Sequence, residues 1–148
     1  RPAQQAKELD ADKWDFAAHP VDYVVINLGT NDSTAASFSD TPRCIEEQYK
    51  KDYIHFLKAV RHCNGEKTQI ICAMGSMDYY FYDAMQSAVS AYQKETGDEK
   101  VCCFKYCRMS PQDPIGACGH PSELTQQKMA KELVAFISEL EKKQNVEK

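Results

Sequence analysis

No run in this sequence approaches the roughly 20 consecutive apolar residues that cross a bilayer, so no membrane-spanning helix is expected within it. A basic stripe is also missing. Acidic and basic residues are mixed along the chain and the formal net charge is -4, which argues against a nucleic-acid partner. No segment repeats, and none is of low complexity. The chain does not open on a signal peptide, but Arg1 need not be the natural N-terminus, so localisation stays open on that count. A complete disulfide framework is excluded by number, since the seven cysteines are odd and irregularly spaced. Cys103 and Cys107 lack the second paired motif that a zinc site needs, so no zinc is expected. Most of the thiols read as small buried hydrophobes, which suits a reducing or anaerobic setting.

What is present fits one soluble globular domain: 148 residues, 43% of them apolar and 27% charged. Residues 1–20 are polar, anchored only by Trp14 and Phe16, and read as a helical or irregular lead-in. "VDYVVINL", Val21 to Leu28, is nearly continuous in apolar residues, as a strand covered on both faces would be. "STAASFSDT" reads as a loop of small polar residues. A helix is expected from Pro42 to about Cys63, capped by Thr41, opened by proline and ended by Asn64-Gly65. "KTQIICAM" is a second strand, and a helix from about Ala84 to Thr96 stops at Gly97. "VCCFKY" is a third strand. A last helix starts near Ser122, with a tail, residues 141–148, expected to fray. Strands and helices alternate, so the fold class is α/β: right-handed crossovers, a parallel sheet and helices on both faces.

In such a sheet, function collects in the loops beyond the carboxyl ends of the strands. The first of these loops holds Gly29, Thr30, Asn31 and Asp32. The second holds Gly75, Ser76 and the tyrosines 79, 80 and 82, and the third leads to Gly119, His120 and Pro121. A side-chain amide and an imidazole brought to one rim are reagents for acyl transfer, one for an oxyanion and one as general base. Gly29 lets the backbone turn tightly beside a ligand. Each feature also has a plain structural reading, as a turn, a helix cap or loop packing. Ser76 reads as a turn residue, the tyrosines suit a sugar groove or loop packing equally, and Cys118 is too near His120 in sequence to serve as its nucleophile partner.

Together, "LGTND" at Leu28–Asp32 and "GHPS" at Gly119–Ser122 resemble the third and fifth sequence blocks of the SGNH (GDSL-like) hydrolases. They stand in the right order with the expected helices between them. "KWDFAAHPVDYVVINLGTND" is also similar to the acetyl esterases of carbohydrate esterase family 2, and the likeness runs from Trp14 to Leu140. It implies a three-layer, flavodoxin-like sandwich in which Asn31 is the oxyanion-hole side chain and His120 the general base. Gly29, Asp32 and Gly119 would support that site. Members of the superfamily often carry an aspartate three residues before the histidine; here that position is Ala117. A carbonyl from the Ala117–Gly119 turn could orient the ring instead, with Asp113 as the alternative.

The resemblance also implies a missing part. The family's Gly-Asp-Ser turn does not occur in this chain, nor does the segment carrying its second-block glycine. In a strand order of 2-1-3-4-5 the chain supplies strands three to five, and its first strand would have a bare edge where strand one belongs. Residues 1–148 are therefore expected to be the C-terminal part of one hydrolase domain, with the nucleophile serine on a separate segment or companion chain. The expected activity is removal of acetyl groups from plant cell-wall polysaccharide by a secreted serine hydrolase needing no cofactor. The competing expectation is a non-catalytic carbohydrate-binding module that keeps the fold. A flavodoxin or response-regulator role fits the fold class but lacks a phosphate-cradling loop and an acidic cluster.

Overall fold

The structure, a computed structural model, describes residues 14–146. Three parallel strands, β1 (Tyr23–Asn27), β2 (Gln69–Met74) and β3 (Val101–Lys105), lie side by side in that order. The register pairs Ile26 with Cys72 and Cys72 with Cys103, so each row of side chains shares one face. Every residue of β2 is buried, which is why its sequence, QIICAM, does not alternate between apolar and polar. Of its two faces, Ile70, Cys72 and Met74 join the main core with Leu57, Phe81, Met85 and Tyr92. Those partners come from α2 (Pro42–Asn64) and α3 (Tyr82–Thr96), apart from Phe81 just before α3. The opposite face meets α4 (Glu123–Val146), where Phe104 packs on Phe136 with ring centroids 4.6 Å apart. The α/β/α sandwich read from the sequence is thus the observed one.

The segment expected to be a small-residue loop after β1 is instead a helix, α1 (Thr30–Ser37). Its serines and threonines do not pull it out of the helical state, because their hydroxyls bond back along it. Thr34 donates to the Thr30 carbonyl and Ser37 to the Ser33 carbonyl. Its two buried residues, Ser33 and Ala36, are small.

The charged end beyond Leu140, expected to fray, stays helical to Val146 because the sheet holds it. Tyr23 donates to Glu141 at 3.0 Å, and Gln144 donates to Gln69 at 3.2 Å. Much of the 1–20 lead-in lies outside the described residues; from Trp14 it is a turn, with Trp14 stacked on His19. The Thr41 hydroxyl does not cap α2; it pairs with the Ser39 hydroxyl at 3.3 Å instead.

The cysteines also differ from expectation. Only Cys72 is fully buried; Cys102 and Cys103 are partly so, and Cys44, Cys63, Cys107 and Cys118 are exposed, all as free thiols. Burial pushes the Cys72 thiol up to about 12 and Cys103 up to about 11, so neither is a reactive thiolate.

No described strand pairs with the outer side of β1. Val25 and Leu28 are 39% and 52% exposed there, a large share for residues at and just beyond a strand of a parallel sheet. None of the described helices is long and apolar enough to cross a membrane.

Candidate active site

The strands point their carboxyl ends at one rim, and a cleft of about 580 Å³ opens there. Asn31 and Asp32 enter it from the first turn of α1, just past Gly29. His120 enters from the long loop after β3, and Met129 and Leu133 of α4 form an apolar wall. Both residues singled out as reagents, far apart in sequence, therefore face one space. Gly119 does not line the cleft; it shapes the turn before His120.

Gly29 is required twice over. Its φ is +126°, a region L side chains rarely adopt. A Cβ there would also lie 2.7 Å from the Met74 methyl and 2.9 Å from the Tyr49 hydroxyl. The chain in front is fixed by that same hydroxyl, which donates to the Leu28 carbonyl at 3.2 Å. Behind it, the Ser33 amide closes the first turn on the Gly29 carbonyl at 2.9 Å. Asp32 stands in this first turn, where a negative side chain suits the helix dipole.

His120 is exposed and is held by backbone rather than by its ring. Its amide donates to the Ala117 carbonyl at 3.1 Å, and its carbonyl accepts from the Gly116 amide at 2.8 Å. Cys118 and Gly119 turn the chain with φ of +53° and +79°. Asp113, the alternative partner for the ring, is engaged elsewhere: its carboxylate meets the Lys128 ammonium and accepts the Ser110 amide. Those two contacts, Lys128 foremost, hold its carboxyl below the usual range. Among the described residues no hydrogen bond reaches the His120 ring.

The loop after β2 is packed rather than open. Ser76 is buried with its hydroxyl on the Met129 sulfur at 3.3 Å. Tyr79 donates to the Tyr106 carbonyl at 2.9 Å. The Lys105 ammonium lies over the rings of both Tyr79 and Tyr82, at 4.9 and 4.5 Å from their centroids. Tyr80 alone of these three rings is mostly exposed, at 57%. One residue with no sequence signal stands out here: Asp78, whose carboxylate accepts the buried Ser33 hydroxyl of α1.

Comparison with known proteins gives one consistent family. The chain is 32% identical over 129 residues to the cellulase/esterase CelE of Acetivibrio thermocellus, covering 84% of this chain and 15% of that one. An acetyl xylan esterase, Est2A, from the rumen bacterium Butyrivibrio proteoclasticus superposes with a TM-score of 0.79 at 27% identity. A family two carbohydrate esterase from Clostridium thermocellum, solved in complex with cellohexaose, gives 0.69 at 32% identity. Each of those two matches covers 85% of this chain and 38% of the other, so the chain spans well under half the length of its relatives. Residues 2–133 match the family described as GDSL-like Lipase/Acylhydrolase, and the chain belongs to that family.

Proposed function

We propose that this chain provides the general base and the oxyanion donor of a serine esterase acting on acetylated plant cell-wall polysaccharide. The nucleophile serine comes from a segment outside the chain, seated against the open side of β1. The observation that carries this reading is the convergence of Asn31 and His120 on one cleft. It is supported by the relatives, among them an acetyl xylan esterase and a carbohydrate esterase. A polymeric substrate of this kind also calls for a secreted enzyme.

In this mechanism the serine hydroxyl attacks the acetyl carbonyl while the His120 imidazole takes its proton. The Asn31 amide donates to the oxygen on which negative charge develops. His120 then returns the proton to the departing sugar oxygen, leaving an acetyl-serine. Water, deprotonated by the same imidazole, attacks that ester and releases acetate. With Ala117 where an aspartate often stands and Asp113 held by Lys128, a backbone carbonyl is left to orient the ring.

The test is hydrolysis of 4-nitrophenyl acetate by the chain assembled with its serine-bearing segment. His120→Ala should lower kcat by about 10²–10⁴-fold, and Asn31→Ala by about 10²–10³-fold. An unchanged rate in His120→Ala would refute the assignment of the base. The second reading, a glycan-binding module, draws on the exposed Tyr80 ring stacked on Phe81. Glycan binding without any esterase activity in the assembled protein would favour it.

A further inference from the structure

Asn31 is carried by a helix with little apolar grip. The two buried residues of α1 are Ser33 and Ala36, so hydrophobic packing alone fixes its position weakly. A hydrogen-bond donor for an oxyanion must nevertheless be held to within a fraction of an ångström. Something polar has to supply the constraint.

Ser33, 1% exposed, lies two residues beyond Asn31 in the same turn. Its hydroxyl has one proton and two acceptors within reach, the Thr30 carbonyl at 3.0 Å and one carboxylate oxygen of Asp78. The other Asp78 oxygen accepts the Tyr80 amide at 2.8 Å. A turn-capping role accounts for that second bond. It does not account for the first, which reaches into a different element and meets a buried hydroxyl. We propose that Asp78 is a positioning residue for Asn31, tying the first turn of α1 to the loop between β2 and α3 through Ser33.

The electrostatics agree with the geometry. Burial pushes the Asp78 carboxyl up, but the Ser33 hydroxyl, the Tyr80 and Tyr79 amides and the Arg108 charge more than offset it. It stays ionised, and a hydrogen-bond acceptor, wherever an imidazole base is neutral.

The proposal rests on Asn31 acting as the oxyanion donor, and kinetics of the assembled esterase on 4-nitrophenyl acetate separate the two. Asp78→Ala should lower kcat about tenfold with a much smaller change in KM, since only the transition state uses the displaced amide. Asp78→Asn should retain activity to within about threefold. Its amide can donate to Ser33 while the Ser33 hydroxyl turns its proton to Thr30. Ser33→Ala should match Asp78→Ala, and the double variant should be no worse than either single, as for two residues of one tether. Thermal melts of Asp78→Ala and Ser33→Ala show whether each is folded at the assay temperature, and Asp78→Asn keeps the test open should either not be.

If Asp78→Ala keeps kcat within about twofold while Asn31→Ala loses it, the tether is refuted and the assignment of Asn31 stands. Equal losses in Asp78→Asn and Asp78→Ala, or multiplying losses in the double variant, also overturn it. A silent Asn31→Ala overturns both.

Discussion

Gly29 stands between the sheet and the amide that enters the cleft, in a backbone conformation and a space that exclude a methyl group. Gly29→Ala should cost about 1–3 kcal/mol of stability, measured by denaturant unfolding. It should lower kcat more than KM, because relief of the clash with Met74 and Tyr49 moves Asn31. An alanine variant as stable and as active as wild type would show that the turn has room to relax. At this scale the sequence was informative where chemistry is concentrated in short strings. Asn31 and His120 announce themselves in LGTND and GHPS. Asp78 and Ser33 do not, because neither residue type is unusual in a loop or a helix start. Their meaning comes from a contact across 45 positions, which periodicity cannot register.

The elements were legible in proportion to their apolar pattern. The strands and the amphipathic α2 and α3 follow from burial, with boundaries shifted by one or two residues. The helix α1 was hidden because it is held by polar back-bonding and small residues rather than by an apolar stripe. At the other end of the sheet, one side chain joins three segments. Arg61 of α2 donates to both carboxylate oxygens of Asp98 and to the carbonyls of Gly65, Thr68 and Lys100. Both partners of the ion pair are largely buried, so Arg61→Ala should cost about 3 kcal/mol, leaving the Asp98 charge without its cation and the part-buried Thr68 carbonyl without this donor. Burial raises the Asp98 carboxyl, but Arg61, the Tyr92 hydroxyl and the Lys100 amide outweigh it and leave it below its ordinary 3.8. The sign follows. The native state binds the proton less readily than the unfolded chain, so this stabilisation is complete above pH 3.8 and is lost as pH falls through the native value. Thermal melts from pH 7 downward should show the gap between wild type and Asp98→Asn narrowing only below that point. A gap independent of pH would remove the carboxylate from the account.

For the whole molecule, the outer edge of β1 governs behaviour in solution. With Val25 and Leu28 exposed and no described strand beside them, the chain by itself should self-associate, and Val25→Lys should suppress this. Sedimentation velocity reads both; a monodisperse wild-type monomer would show that the edge is not available. The order of the three strands has a further effect, on how such a site can diversify. β2 separates the strand before Asn31 from the strand before His120, so the sheet acts as a ruler with a fixed division of roughly 4.8 Å per strand. Because β2 is buried on both faces, a slip of its register would exchange the side chains packed under the helices on either side and spoil the fit of both layers. The spacing of the strand ends that precede Asn31 and His120 is thus locked by the core. The long loop is free to vary between Cys107 and Ile115, ahead of the turn that holds His120. New substrates would be accommodated by rewriting that loop, at almost no risk to the fold that holds the gauge constant.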